Sequence, residues 1–378
     1  MFLRYSNLQA AKLIFAKNFQ KLLQRSQSSS SDLGSAPNVP ESGFTLQNLG
    51  FLGFSALLLM TVVGGINWAV DPLWFGRGNK ITRYNFDFPD ERILKTNLFL
   101  NTKEQAEYDC LIFGSSRTNA LRPSAFENEH CFNYSFKSGH IEEFADYAEF
   151  VKRQGVNPQT IYVGVDEFNF LEEYDYQSQR IEEMATSSLF SAYFVNGALL
   201  FSIKTLLGMS PNDATYYDKN FEMQRIENPR TYIPNLDDPV PDSFVTCNLS
   251  KVQLYKELRA QFPNAKVVAY VPPRSAWKVV SETYQPGFLD CVLEGFHAVA
   301  QSYDAFYDFT IPSAITTDPQ YTYDGSHYYP EITDEIATFL QGQPLEFGVE
   351  VSGLSIEEYS AIYKQAVQDF IARETAKE

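Results

Sequence analysis

Histidine is scarce in this chain, with four among 378 residues, and cysteine is equally rare. The four cysteines, Cys110, Cys131, Cys247 and Cys291, follow no zinc-type spacing, so neither a metal nor another cofactor is expected. Net basic charge is lacking too: 30 Lys and Arg face 47 Asp and Glu, a formal balance of −17. An acidic surface repels phosphate backbones, which sets nucleic acid aside as a partner. Internal repeats are absent as well. What the chain does have is aromatic bulk, 31 Phe and 23 Tyr, enough for a packed globular body with an ample core.

One stretch lacks charge altogether. Residues 49–70 read LGFLGFSALLLMTVVGGINWAV, and twenty-two helical residues at about 1.5 Å each match the hydrocarbon thickness of a bilayer. Trp68 and Trp74 stand at its downstream end, where interfacial aromatics are favoured, and Asp71-Pro72 stops the helix. The reading is an uncleaved signal anchor, since the apolar run is too long for a cleaved signal and lies far from Met1.

Charge sets the expected orientation. Residues 1–47 hold five basic and two acidic side chains, leaving 25 basic and 45 acidic for the rest. A basic segment before the span and an acidic body after it predict the N-terminus inside and the body outside a cytoplasmic membrane, in the periplasm. Within the segment, Asn7–Arg25 is basic and amphipathic and fits the cytoplasmic leaflet, with a mitochondrial presequence as the competing reading. Ser26–Ser31 and the residues to Pro40 form a tether. Outside the cytoplasm, pairs Cys110–Cys131 and Cys247–Cys291 become available, with four buried free thiols the equal alternative.

The body, residues 78–345, alternates short apolar runs with helical patterns. Strands are expected at Cys110–Phe113, Thr160–Val165, Lys266–Val271 and Ala305–Asp308. Helices are expected at Ile141–Gln154, Leu249–Phe262, Gly287–Ser302 and Pro330–Leu340. This rhythm predicts a three-layer α/β/α domain with a mostly parallel sheet. Residues 172–244, rich in Tyr, Asn and Pro, read as an insertion near the site. Residues 346–378 read as a terminal helix docking through Ile356, Tyr359, Ile362, Tyr363, Ala366 and Phe370.

In open α/β sheets, sites form beyond the carboxyl ends of the strands. The run Leu111-Ile112-Phe113 leads into Gly114-Ser115-Ser116-Arg117, and Asp324-Gly325-Ser326-His327 follows the last strand. Ser, His and Asp are the parts of a nucleophile, base and orienter relay. Ser116 is the expected nucleophile, with Ser115 the alternative. His327 is the expected base and Asp324 its orienter; His130, His140 and His297 lack such a neighbourhood. Arg274, in Pro272-Pro273-Arg274 after a strand, is a candidate for an anionic sugar or acyl carrier, against a plain surface salt bridge.

These blocks resemble the SGNH (GDSL-like) hydrolase superfamily over roughly Tyr108 to Gly342. The resemblance places Ser116, Asp324 and His327 in the catalytic positions and makes Gly139 the nearest candidate for an oxyanion amide. It departs at Gly164-Val165-Asp166, where the family pattern is Gly-x-Asn. A carboxylate accepts hydrogen bonds and repels an oxyanion, so Asp166 needs neutralising by Arg117, or replacement as donor by Asn169.

Adding the apolar helix, Val70-Asp71-Pro72 and the Tyr323–Tyr328 block, the chain looks like membrane-anchored members similar to alginate O-acetylation proteins and the teichoic-acid D-alanine transfer protein. That resemblance implies O-acyl transfer to, or ester cleavage on, an exported polysaccharide, beside a membrane-bound O-acyltransferase partner. The alternative is a catalytically weak glycan-binding or scaffold component of the same machinery. A lipase is less attractive, because the insertion is not aliphatic.

Overall fold

Uninterrupted apolar runs such as Val267-Val268-Ala269-Tyr270-Val271 have no polar face to offer water, so their strands must be covered on both sides. In a computed structural model of the protein the described residues are 46–82, 84–85, 91–171, 193, 198–209, 214–236 and 246–377. The chain divides into two compact units, 1–57 and 58–378. In the first, the described residues belong to helix α1, Leu46–Val70; the expected amphipathic segment and Ser-rich tether lie outside the described residues.

The second unit is built on a six-stranded sheet. Its strands are β2 (Cys110–Phe113), β3 (Cys131–Asn133), β4 (Thr160–Gly164), β7 (Lys266–Val271), β8 (Ala305–Asp308) and β9 (Val349–Glu350). They lie in the order β3-β2-β4-β7-β8-β9, parallel except for β9, which runs antiparallel to β8. Three further strands form a small antiparallel sheet: β1 (Tyr84–Asn85), β5 (Thr215–Asp218) and β6 (Met223–Arg225).

Alternation along each strand sorts the core into two layers. Leu111, Phe113, Ile161, Val163, Val267 and Ala269 face one side, in one apolar cluster with Phe144, Leu258, Phe296 and Tyr363. Those residues belong to α3 (Ile141–Arg153), α5 (Val252–Gln261), α6 (Leu289–Ala300) and α8 (Ile356–Thr375). Ile112, Tyr162, Val268 and Tyr270 face the other side, against Ile332, Ile336 and Leu340 of α7 (Pro330–Leu340). The result is a mixed α/β body with helices on both faces of a mostly parallel sheet. Two more helices, α2 (Glu91–Ala106) and α4 (Ala198–Leu206), complete the longer elements.

Several expectations need adjusting. About half of the insertion 172–244 lies outside the described residues, and its described part holds α4, β5 and β6. The terminal segment contributes an edge strand, β9, before its helix. Trp74 is buried in the body rather than interfacial, packed with Leu98, Phe99 and Phe221, whereas Trp68 is exposed. Asp71 does end α1: its carboxylate accepts the amides of Phe75, Gly76 and Gly78 at 2.9–3.0 Å. The cysteines are paired, Cys110 with Cys131 and Cys247 with Cys291. The first bridge joins strands in which the two residues stand opposite each other.

Candidate active site

The strand order β3-β2-β4-β7-β8 reverses direction between β2 and β4. Such a switch point opens a crevice beyond the carboxyl ends of the two strands. Ser115-Ser116-Arg117 leaves β2 at that crevice, and Asp166-Glu167 follows β4 there. The serines take different directions. Ser115 is buried and its Oγ accepts the Arg117 amide at 3.3 Å, so it is turned inward. Ser116 starts the turn that continues into the short helix Thr118–Ala120, its carbonyl accepting the Asn119 amide at 3.3 Å. Its side chain is left partly exposed.

Ser116 Oγ lies 2.9 Å from His327 Nε2. On the far side of the ring, Nδ1 lies 2.8 Å from Asp324 Oδ2. An ionised Asp324 accepts a proton-bearing Nδ1, and that tautomer leaves Nε2 free to accept from the serine hydroxyl. The loop carrying the pair is fixed from within. Asp324 Oδ1 accepts the amides of Ser326 and His327 at 2.9 and 2.8 Å, and Thr322 Oγ1 donates to the His327 carbonyl at 2.7 Å. Gly325 turns the chain at φ +82°, where an added Cβ would stand 2.6 Å from the Tyr232 ring. Burial is the largest influence on Asp324 and opposes ionisation. His327 and the two amides together outweigh it, holding the carboxyl down at about 2. Tyr323 adds a ring parallel to the imidazole, with centroids 5.5 Å apart.

The oxyanion candidates fare differently. The Gly139 amide is donated to the Phe136 carbonyl at 3.0 Å. Asn169 is fully buried; its Nδ2 donates to Tyr255 at 3.1 Å and its Oδ1 accepts the Ile141 amide at 3.3 Å. Both donors are thus engaged in hydrogen bonds internal to the fold.

Arg274 is neither a surface salt bridge nor free to hold a sugar acid. It is 3 % exposed, with Nη1 3.0 Å from Glu167 Oε1 and Nη2 donating to Glu282. Glu167, which spacing alone does not single out, joins the two arginines, its Oε2 accepting Arg117 Nη2 at 2.7 Å. Arg117 Nε in turn lies 2.9 Å from Asp166 Oδ1. Burial raises the Asp166 carboxyl more than Arg117 lowers it, whereas for Glu167 the pull of Arg117 and Arg274 exceeds the burial cost and holds it below the usual range. Asp166 is fully buried and paired with Arg117.

A separate cavity of about 430 Å³ lies against edge strand β3, walled by Trp74, Phe132, Phe221, Lys95 and Arg122; none of the relay residues lines it. No protein-family model matches the chain, and no curated protein matches it in sequence.

Proposed function

We propose that the protein is a membrane-anchored SGNH-type O-acyltransferase or esterase acting on an exported polysaccharide. The observation that carries this reading is the unbroken hydrogen-bonded chain Ser116–His327–Asp324 at a switch-point crevice. Ser116 Oγ attacks an acyl carbonyl while its proton passes to His327 Nε2, and Asp324 stabilises the imidazolium. The tetrahedral intermediate collapses as His327 returns the proton to the leaving oxygen, giving an acyl-serine. A sugar hydroxyl, or water, then attacks that ester, with His327 again taking the proton. Since the Gly139 and Asn169 donors have internal partners, the Ser116 amide, for which no described acceptor is found, is the donor left to serve the developing oxyanion.

Two further observations support the setting. Helix α1 carries a 24-residue apolar span, Gln47–Val70, long enough to cross a bilayer. Two disulfides accord with an oxidising compartment, which supports a body outside the cytoplasm, and the charge asymmetry of the sequence supports a basic N-terminal segment inside. An acyl group delivered from the cytoplasm has to cross that membrane, so a membrane-bound O-acyltransferase is the fitting partner.

The commitment of both oxyanion donors favours a second reading, a glycan-binding or scaffold component with residual chemistry. A fluorophosphonate probe separates the two. Labelling of the intact protein that is lost in Ser116→Ala and His327→Ala supports the enzyme; a folded protein that never labels refutes it. O-acyl content of the surface polysaccharide, compared between strains carrying the native chain and His327→Ala, then tests the substrate class.

A further inference from the structure

Helix α4 is built inside out. In a body surrounded by water, a surface helix turns apolar residues inward and polar ones outward. Here Ala198, Ser202 and Thr205 are buried, the latter two fully, while Leu200, Ile203, Leu206 and Leu207 are 52, 43, 43 and 70 % exposed. Met209, just beyond the last turn, is 46 % exposed. Lys204 is the one charged residue in 198–209. Its long stem lets an ammonium reach a polar boundary from an apolar surround.

The buried polar face has a defined partner. Ser202 Oγ donates to Asn67 Oδ1 at 2.8 Å, and Asn67 Nδ2 donates to the Tyr193 carbonyl at 2.6 Å. Asn67 lies in the last turn of α1, three residues before its end, so α4 is fastened to the emerging end of the apolar helix. Polar groups joining two helices whose outer faces are both apolar is the arrangement expected where no water surrounds them. The neighbouring surface of α1 is likewise apolar and open, with Leu59, Val62 and Trp68 all at least half exposed.

We infer that α4 is a second membrane-contacting element, its Leu200–Ile203–Leu207 face immersed in the acyl-chain region beside the end of α1. This rests on the reading of α1 as a membrane span, which the experiment tests on its own. Burying these side chains in lipid adds a second point of attachment beside α1, holding the body against the leaflet instead of letting it swing from one helix.

Single cysteines are introduced as Leu59→Cys, Ile203→Cys, Leu207→Cys and Lys256→Cys in the full chain, whose native cysteines are all paired. Each is spin-labelled in phosphatidylcholine vesicles, and collisions with lipid-soluble oxygen and a water-soluble nickel chelate are compared. The expected result is that 203 and 207 favour oxygen, like 59, while 256, exposed on α5, favours nickel. A label at 59 in lipid with 203 and 207 favouring nickel overturns the inference. Labels at 203 and 207 shielded from both reagents overturn it in favour of a protein cover. A label at 59 favouring nickel overturns the membrane reading itself.

Discussion

Tyr323 lies flat against His327, their planes 8° apart and their centroids separated by 5.5 Å. The ring packs parallel to one face of the imidazole, and the Asp324 carboxylate holds its Nδ1 at 2.8 Å. Tyr323 is thus a positioning residue, acting through His327. Tyr323→Ala is expected to slow fluorophosphonate labelling by up to roughly 10²-fold, the scale of a misplacement near 1 Å. Tyr323→Phe keeps the ring and should restore most of the rate. Equal loss in both variants would show that the hydroxyl, not the stack, matters.

Asp324 links the relay to acid stability. Its carboxyl sits at about 2 in the folded protein, against about 3.9 in an unfolded chain. A depressed value means that the unfolded state takes up protons first as pH falls. The contribution, on the order of 2 kcal/mol, is complete above about pH 4 and disappears as pH approaches 2. Chemical unfolding of the native chain and Asp324→Asn in detergent should therefore differ near neutrality and converge toward pH 2. Labelling should also fall by roughly 10³–10⁴-fold in Asp324→Asn, because an amide selects the wrong imidazole tautomer.

The buried charge bridge of Asp166, Arg117, Glu167 and Arg274 is expected to be structural. Glu167→Ala removes the carboxylate shared by Arg117 and Arg274, leaving two buried guanidinium groups under-compensated. Breaking a buried ion pair in this way costs about 3–5 kcal/mol. Lys377→Ala, which removes a largely exposed partner from Glu374, should cost under about 1 kcal/mol. Unfolding free energies of the two variants, measured side by side, check the contrast.

Much of this architecture is legible in the chain because burial on both faces leaves a direct trace. The runs at 110–113, 160–164, 266–271 and 305–308 contain few residues able to face water, and α7 begins at Pro330, where proline suits a first turn. Strand β3 is only three residues long, too short for periodicity to register. Helix α2 hides because it buries Glu91, Lys95 and Asn97 together with Leu94 and Phe99, so polarity does not mark its outer face. Ser116, His327 and Asp324 are readable from turn and spacing, whereas the fate of Arg274 depends on Glu167 and Glu282, contacts that sequence separation conceals. Gly139 and Asn169 are readable as candidate donors from their place in the pattern; what sequence does not reveal is that their hydrogen bonds go to Phe136 and Tyr255.

His140 supplies a pH dependence away from the relay. It precedes α3, is buried against Phe168 with ring centroids 5.0 Å apart, and has Lys251 and Arg92 nearby. Burial, then the two cations, push its imidazole down to about 4, against about 6.5 unfolded. Between those values the unfolded chain binds the proton and the folded one does not. Stability therefore falls as pH drops from about 6.5 to 4, by on the order of 3 kcal/mol, and levels off below. His140→Asn keeps a polar residue suited to a helix start and removes the titration. Unfolding free energies collected across that range should show a slope in the native chain that is flatter in His140→Asn; equal slopes would locate the proton uptake elsewhere.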